Sequence, residues 1–440
     1  MPKVILVQGL GFGDEGKGTM TEFLAKDNKA SLVVRFNGGA QAAHNIVTPD
    51  GKHHTFSQWG SATLIGANTA LSKHVLVDPI AMLPEATHLQ TLGVSDPWEM
   101  LRVDPNCPVI TPYHRYMNRI REDARGYSRH GSTGVGIGEC MSDLLKYGRE
   151  NVPVAADLKH REVLRKKLKF IQEVQLRKLK EIVDPISLAR VGFSSLEQDP
   201  DEVVLRHDLV SKFLGVEPTL DILEEVIHRA GKNVVFEGAQ GVLLHEYYGF
   251  HPHTTWSDTT FKNANELLKS AGFGADIEVE RVGVVRTYMT RHGAGPLPTE
   301  FSAGNHNSHD HNGFSRYTGS MRVGYFDIPL IAYALDVIGD IDSLAVTHLD
   351  KQLQYINAGY IPRNRDDATF IKPDGKIFKQ SNSPLINESY FFEQQEKIGA
   401  AVGRAIPLLS TMDIDEAVER LNVDFKYASY GNTLKDKESV

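Results

Sequence analysis

Short apolar runs alternate with glycine-rich or polar loops along the chain, and this alternation predicts the elements of a parallel β-sheet. The β-branched run Val4–Gln8 predicts a buried strand, Met20–Lys26 predicts a helix, and Leu32–Phe36 predicts a second buried strand. A unit of this kind places ligands at the carboxyl ends of its strands. Three further apolar runs, each followed by polar residues, predict similar strands: Asn233–Phe236, Val282–Val285 and Leu344–Thr347.

The remaining pattern extends this α/β fold. Lys159 to Val183 is rich in Lys, Arg, Leu and Glu at helical spacing, which predicts a solvated amphipathic helix. The strand Asn233–Phe236 is expected to end in a polar loop, Glu237–Gly241. We therefore expect an α/β fold with a mostly parallel central sheet flanked by helices. We expect one domain over residues 1–440, with inserted helical segments at about 90–230 and a mobile loop at about 301–322.

Composition narrows the function classes. A net charge of -8 disfavours a nucleic-acid binder, which needs a basic face for phosphates. Cys107 and Cys140 are the only cysteines, and no CxxC pair indicates zinc or redox chemistry. The amino terminus lacks the pattern of a signal peptide, and no apolar run approaches the roughly 20 residues that span a bilayer. We expect a cytoplasmic protein that binds neither membranes nor nucleic acid.

The loop Gly11–Gly18 lies between a predicted strand and a predicted helix, where backbone N–H groups and the helix dipole favour a phosphate. It contains GxGxxG, but no acid follows the second strand to bind a ribose diol. It also contains GxxxxGK, but Gly18 stands where a P-loop needs Ser or Thr for magnesium. Asp14 and Glu15 would disfavour an anion unless an acid binds metal or moves a proton.

Several segments together resemble the adenylosuccinate synthetase family, in the family order and over almost the whole chain. Residues 13–18 are identical to its GDEGKG signature, residues 236–241 with Leu243 and Leu244 match FEGAQGxLL, and residues 293–300 resemble GAGPFPTE. Weaker likenesses link residues 37–44 to QGGxNAGH, residues 131–138 to GTTxxGIGP, residues 347–350 to TKLD and residues 429–431 to the carboxyl-terminal loop. The resemblance implies the fold of that family, with a P-loop-like glycine loop.

The resemblance also implies a ligase that joins L-aspartate to C6 of a 6-oxopurine nucleoside monophosphate. Asp14 matches the base that removes the N1 proton, so that O6 can attack the γ-phosphate of GTP or ATP. His44 matches the acid that hydrogen-bonds O6 and the transferring phosphoryl group, and Lys17 offers a charge to the phosphates. The implied Mg²⁺ is bound by Asp14 and by the backbone of Ala43.

The same resemblance implies two groups of binding residues. The implied nucleotide-binding residues are Gly13, Glu15, Gly16, Gly18, Gln41, Thr133, Gln240, Thr255, Asp350, Ser429 and Gly431. The implied aspartate-binding residues are Thr299 and Arg322, the latter as a bidentate partner of a carboxylate. The family further implies a homodimer with shared sites, and Tyr147 or Arg149 lies nearest to the place of its subunit-crossing arginine.

Departures from the family pattern concern the two nucleotides. Ser320 replaces the first arginine of TGRxRRxGW, which in the family approaches the ribose hydroxyl, so the sequence favours a deoxyribonucleotide. This points to the phage branch that uses dGMP in making 2-aminoadenine DNA, although Asp14 is retained here. IMP is the alternative. His348 replaces the TKLD lysine, which leaves ATP open beside GTP, whereas Asp350 favours GTP.

Two other hypotheses remain from the sequence. An inactive paralogue that binds purine nucleotides would not need both Asp14 and His44, and a P-loop hydrolase would act without aspartate. A polar tract in the expected mobile loop could also bind a metal, but its composition favours a loop that orders over aspartate. That tract contains His306, His309, Asp310 and His311.

Overall fold

The computed structural model describes residues 1–182, 196–301, 315–381 and 388–440. Its strands are β1 Lys3–Gly9, β2 Leu32–Arg35, β3 His44–Val47, β4 His53–Phe56, β5 Asn68–Leu71, β6 Leu101–Val103, β7 Gly215–Val216, β8 Val234–Gly241, β9 Glu278–Arg286, β10 Tyr288–Arg291, β11 Glu300–Phe301, β12 Arg322–Asp327, β13 Ser343–Thr347, β14 Ile356–Ile361, β15 Ile406–Ser410, β16 Phe425–Ser429 and β17 Lys437–Ser439. Its α-helices are α1 Lys17–Asp27, α2 Pro79–Thr91, α3 Pro112–Arg125, α4 Ile137–Tyr147, α5 Arg161–Glu181, α6 Pro200–Ser211, α7 Thr219–Leu223, α8 Lys262–Ser270, α9 Ile328–Ile338, α10 Glu388–Arg404 and α11 Ile414–Glu419.

A ten-stranded sheet forms the centre of the fold, in the order β17-β16-β13-β9-β1-β8-β2-β5-β6-β7. All neighbouring strands are parallel except the edge pair β16 and β17. The apolar runs predicted as strands lie in this sheet, and the β–loop–α–β unit is β1, α1 and β2. The predicted α/β class is confirmed. Parallel strands buried on both faces explain why these runs are continuously apolar rather than alternating.

Strand β8 differs from the sequence prediction. Glu237–Gly241 was expected as a polar loop, but the strand continues to Gly241, which pairs with Gly9 of β1. Glu237 is fully buried, because partners from neighbouring elements satisfy its carboxylate. A polar sequence therefore continues as a strand where tertiary contacts satisfy its side chains.

The segment between β5 and β8 contains helices α2 to α7, and α2 begins at Pro79, before the start expected for the inserted helices at about residue 90. It also contributes two very short strands, β6 and β7, which extend the central sheet at its edge. Helix α5 confirms the amphipathic helix predicted over Lys159 to Val183, with Leu164, Leu168 and Ile171 buried. These helices have their own apolar core, which includes Trp59, Met82 and Tyr113. The insertion is therefore a packed layer that borders one end of the site.

A second sheet holds β10, β12, β14 and β15, with β11 paired to β12. It follows directly on β9 and carries the segment between β10 and β12. The expected mobile loop at about 301–322, with the histidine tract, lies mostly outside the described residues. Within the described part, Ser315 and Gly319 form an antiparallel bridge, and β12 begins at Arg322.

Candidate active site

The glycine loop joins β1 to α1 and leaves the start of that helix open. Gly16 has φ 91°, a left-handed conformation, and a Cβ there would lie 3.2 Å from the Thr347 side chain. No side chain in the described ranges caps the amino terminus of α1. Its first N–H groups are therefore available to an anion, and the helix dipole favours one.

Glu15 holds this loop together. Its Oε1 accepts hydrogen bonds from Gly11 N at 2.9 Å and Gly13 N at 2.7 Å, and its Oε2 lies 2.8 Å from Lys17 Nζ. Both side chains are buried, and Lys17 also donates to the Gly13 carbonyl. Glu15 therefore has a structural role that the sequence did not indicate, since Lys17 balances its charge within the loop. The contact of Glu15 with a nucleotide stays a prediction.

A first cavity of about 320 Å³ opens at the amino end of α1. Ten of the predicted residues line it together: Gly13, Asp14, Gly16, Lys17, Gly18, Ala43, His44, Asp350, Ser429 and Gly431. Arg286 and His348, which the sequence did not single out as ligands, also line it. Burial, with Arg286 and Lys351 nearby, holds the pKa of His348 well below its usual range. A neutral imidazole therefore stands where the family has a charged lysine.

A second, larger cavity of about 680 Å³ lies against the inserted helices. The remaining predicted nucleotide residues Gln41, Thr133, Gln240 and Thr255 line it. The amide oxygens of Gln41 and Gln240 are buried without a hydrogen-bond partner in the described ranges. Such acceptors are costly unless a ligand donates to them. Gln240 also has φ 56°, a left-handed conformation that is rare outside glycine and marks a constrained position.

The charges of the second cavity favour an anionic ligand. Six cationic side chains line it against three acidic ones: Arg121, Arg125, Lys146, Arg177, Lys178 and Arg291 against Glu122, Glu139 and Glu181. Lys146 and Arg177 form no ion pair with any residue that the structure describes, and Lys146 lies over the Tyr147 ring. Tyr147 lines this cavity, whereas Arg149 does not.

His44 is held by Glu237. The distance from His44 Nδ1 to Glu237 Oε1 is 2.6 Å, and Glu237 also accepts from Ser61 N at 3.0 Å and lies 3.9 Å from Arg35. Burial would raise the pKa of Glu237, but His44 and Arg35 hold it at about 2. Burial lowers the pKa of His44, and Glu237 opposes that shift. Because Nδ1 is hydrogen-bonded to Glu237, Nε2 is the nitrogen that can contact a ligand in the first cavity.

Asp14 is paired with a residue that sequence reasoning missed. His292 Nε2 lies 2.8 Å from Asp14 Oδ2, and both side chains are partly exposed. Burial would raise the pKa of Asp14, but the hydrogen bond and charge of His292, with Lys17 and Arg286, lower it. Asp14 lines the first cavity and His292 the second, so the pair lies where the two cavities meet. The one available signal was a polar residue immediately before the Gly293 motif.

The predicted aspartate ligands line neither cavity. Arg322 forms an ion pair with Glu300, its Nε 3.0 Å from each oxygen, and donates to the Gly293 and Gly295 carbonyls at 3.2 and 2.8 Å. Thr299 Oγ1 donates to the Tyr325 carbonyl at 3.0 Å. Arg322 therefore holds the segment that follows His292, and the contact of both residues with aspartate stays a prediction.

The expected Mg²⁺ fits the first cavity. Within the described ranges, no group of three or more His, Cys, Asp or Glu side chains is arranged to bind a metal. Mg²⁺ commonly takes one or two protein ligands together with phosphate oxygens and water. The Asp14 carboxylate and Ala43 both border the cavity at the open end of α1, which supplies that kind of site.

Comparison with known proteins identifies the family. The adenylosuccinate synthetase family model matches residues 6–360. Adenylosuccinate synthetase of Clostridium beijerinckii is 34% identical over 357 residues, covering 78% of this chain and 77% of its own. That of Clostridium botulinum is 33% identical over 406 residues, covering 87% and 89%. The chain belongs to the adenylosuccinate synthetase family, and is therefore a ligase of that type.

Solved structures agree on the fold. The fully ligated adenylosuccinate synthetase of Plasmodium falciparum superposes with a TM-score of 0.76 at 18% identity, over 99% of both chains. The succinoaminodeoxyadenylate synthetase of cyanophage S-2L, bound to dGMP and to dATP as energy donor, gives a TM-score of 0.58 at 15% identity, over 100% of this chain and 95% of its own. In the described part of the chain, no helix has the length and apolar character needed to cross a membrane.

Proposed function

We propose that this ligase joins L-aspartate to C6 of a purine nucleoside monophosphate, with dGMP as the preferred substrate and GTP or ATP as the phosphoryl donor. One observation carries the reaction: the Asp14 carboxylate lies where the first cavity meets the second. A triphosphate bound at the open end of α1 and a monophosphate bound among the cations of the second cavity would meet at that point.

The residues have matching roles. Asp14 takes the N1 proton, so that O6 attacks the γ-phosphorus and the nucleoside diphosphate leaves; the aspartate amine then attacks C6 and displaces inorganic phosphate. His44, oriented by Glu237, donates from Nε2 to the oxygens between which the phosphoryl group moves. Lys17 forms an ion pair with Glu15, so part of its charge is neutralised and its attraction for the phosphates is weaker than expected. Mg²⁺ held by Asp14 and Ala43 would offset phosphate charge.

The preference for dGMP is supported by the sequence departures and by the nucleotides bound to the cyanophage enzyme, which shares the fold. Ser320, which stands in place of that arginine, is exposed, and the nearby Thr318 lines the second cavity. IMP is the second candidate, because the relatives at 33–34% identity are adenylosuccinate synthetases. We also propose a cytoplasmic homodimer of single-domain subunits, as in the family.

A substrate matrix tests the proposal. IMP, GMP, dIMP and dGMP are each combined with GTP or ATP, aspartate and Mg²⁺, and both phosphate release and the succinylated product are measured. The expected result is a succinylated product that is formed fastest from dGMP. Faster product formation from IMP would contradict dGMP as the preferred substrate and favour IMP, the second candidate. Nucleotide binding without product from any pair would contradict a ligase and favour an inactive paralogue. Phosphate release without aspartate would favour a hydrolase.

A further inference from the structure

The contact between His292 and Asp14 joins the two cavities, and the proposed mechanism gives only Asp14 a role. Asp14 lies on the glycine loop after Gly13, which has φ 127°. The Asp14 carbonyl accepts a hydrogen bond from Arg286 at 3.3 Å, but that contact does not orient the side chain. The contact of 2.8 Å from His292 Nε2 to Oδ2 does.

His292 is itself rigidly placed. The preceding residue, Arg291, is 1% exposed and donates to the carbonyls of Ala294 at 3.0 Å, Pro296 at 2.9 Å and His253 at 3.1 Å. Arg322 holds the carbonyls of Gly293 and Gly295. Both arginines therefore fix the backbone that follows His292, and the buried Arg291 is anchored immediately before it. A side chain on such a backbone can define the position of its partner closely.

The chemistry of a carboxylate allows His292 and a substrate to be bound together. An ionised carboxylate has two oxygens and about four acceptor sites. An N–H from His292 on Oδ2 leaves Oδ1 for the purine N1–H. A donor of this kind restricts rotation of the carboxylate, which matters because a misplacement of about 1 Å can cost about 100-fold in rate.

We propose that His292 is a positioning residue, which holds the Asp14 carboxylate at the junction of the two cavities so that its other oxygen faces the purine N1–H. The expected effect on kcat rests on the proposed function, whereas the expected effect on the orientation of the Asp14 side chain does not. His292 acts through Asp14 and does not itself contact the reacting atoms. The role uses the geometry of its Nε2–H donor rather than the imidazole charge.

Two substitutions separate this role from others. His292→Leu removes the donor at similar volume, and His292→Gln keeps an N–H donor at a comparable distance from the backbone. His160→Leu, at an exposed position before α5, is the matched control. For each protein kcat, KM for the monophosphate, and the calorimetric Kd of the monophosphate are measured, with thermal melting as a check on folding.

The expected result is a kcat about 10–100-fold lower in His292→Leu, a monophosphate Kd within about threefold of wild type, and recovery of most of the rate in His292→Gln. An unchanged kcat overturns the inference, as does a Kd that weakens as much as kcat/KM falls, which would make His292 a substrate contact. A tighter Kd with retained kcat also overturns it, because His292 would then only occupy the place of the purine.

A measurement without turnover keeps this test independent of the proposed function. Crystal structures of wild type and His292→Leu, both without nucleotide, are expected to differ in the side-chain rotamer or order of Asp14. An unchanged, equally ordered Asp14 overturns the positioning role. Failure of wild type to form product in the substrate matrix would contradict the proposed function alone.

Discussion

Glu237 Oε1 lies 2.6 Å from His44 Nδ1, and this pair fixes which nitrogen of the imidazole serves the first cavity. His44 begins β3, outside the central sheet, whereas Glu237 belongs to β8 within it. Arg35 at the end of β2 and Ser61 complete the surroundings of the carboxylate. Arg35 is always charged and therefore stabilises the fully buried carboxylate of Glu237 at any protonation state of His44. The same carboxylate stabilises the imidazole of His44 when that ring is protonated.

Glu237→Gln is expected to lower kcat by about 10–100-fold, because an amide cannot stabilise the protonated imidazole and orients it less firmly. Steady-state kinetics measures the effect. The buried Arg35 loses its counter-charge as well, so thermal melting must establish that the variant is folded. Ser61→Ala removes a hydroxyl contact but keeps the Glu237 charge, and we expect it to reduce kcat by less than about threefold. Equal kinetics in both variants would refute the role given to the charge.

Lys146→Gln and Arg177→Gln are each expected to raise KM for the monophosphate by about 3–10-fold, with kcat nearly unchanged. Both cations line the second cavity without an acidic partner in the described ranges, so a phosphate monoester is their natural counter-ion. Initial rates at varied monophosphate and at varied triphosphate measure the two KM values separately. Lys166→Gln, an exposed position on the same helix as Arg177, is the control.

A comparison of the monophosphate with its unphosphorylated nucleoside tests whether these two side chains act on the phosphate. The unphosphorylated nucleoside, used as a competitive inhibitor, should bind wild type and both variants equally. An inhibition constant that worsens as much as KM would show that these side chains act on the base or the cavity shape instead.

Local sequence predicted the parts of the site that lie on single elements. The runs around β1, α1 and β2 are strongly apolar or glycine-rich, and they place Asp14 and Lys17 at the first cavity as expected. His292 escaped prediction because its pairing with Asp14 depends on the path of a segment between two strands, which leaves no periodic signal. The structural role of Glu15 was not predicted because its hydrogen-bond partners are the backbone N–H groups of Gly11 and Gly13. The direction of a backbone N–H group cannot be read from the residue type.

Very short strands and long-range side-chain contacts leave similarly little signal in the sequence. Strands β6 and β7 have three and two residues, too few to show a pattern. Arg322 was expected to bind a substrate carboxylate, and Glu300 on β11, the strand paired with β12, supplies a carboxylate to it within the chain. The aspartate contacts of Thr299 and Arg322 stay a prediction, and the ion pair of Arg322 with Glu300 depends on tertiary packing.

Asp350→Asn is expected to lower kcat/KM for GTP by about 100-fold, because a carboxylate can accept from two N–H groups of guanine whereas an amide presents a donor to one of them. Asp350 lines the first cavity together with Lys17 and His348. Initial rates with GTP and with ATP measure the change, and KM for the monophosphate serves as the internal control. An equal loss with ATP would contradict base recognition by Asp350.

Asp327→Asn is expected to flatten the dependence of stability on pH. Asp327 caps α9, accepting from Leu330 N at 3.1 Å and from the Tyr360 hydroxyl at 2.6 Å, and burial raises the pKa of its carboxyl to about 7. The raised pKa means that the folded state favours the protonated form. The stability that this gives is complete below the unfolded pKa of about 4, and it is lost as pH rises through about 7.

Urea unfolding of wild type and Asp327→Asn at pH 5 and pH 8 measures this contribution. Between these two values the free energy of unfolding of wild type should fall by about 2–3 kcal/mol more than that of the variant. Asp340→Asn, an exposed acid beyond the other end of the same helix, should follow wild type. Parallel curves for wild type and Asp327→Asn would mean that this carboxyl titrates normally in the folded protein, with water or a cation reaching it.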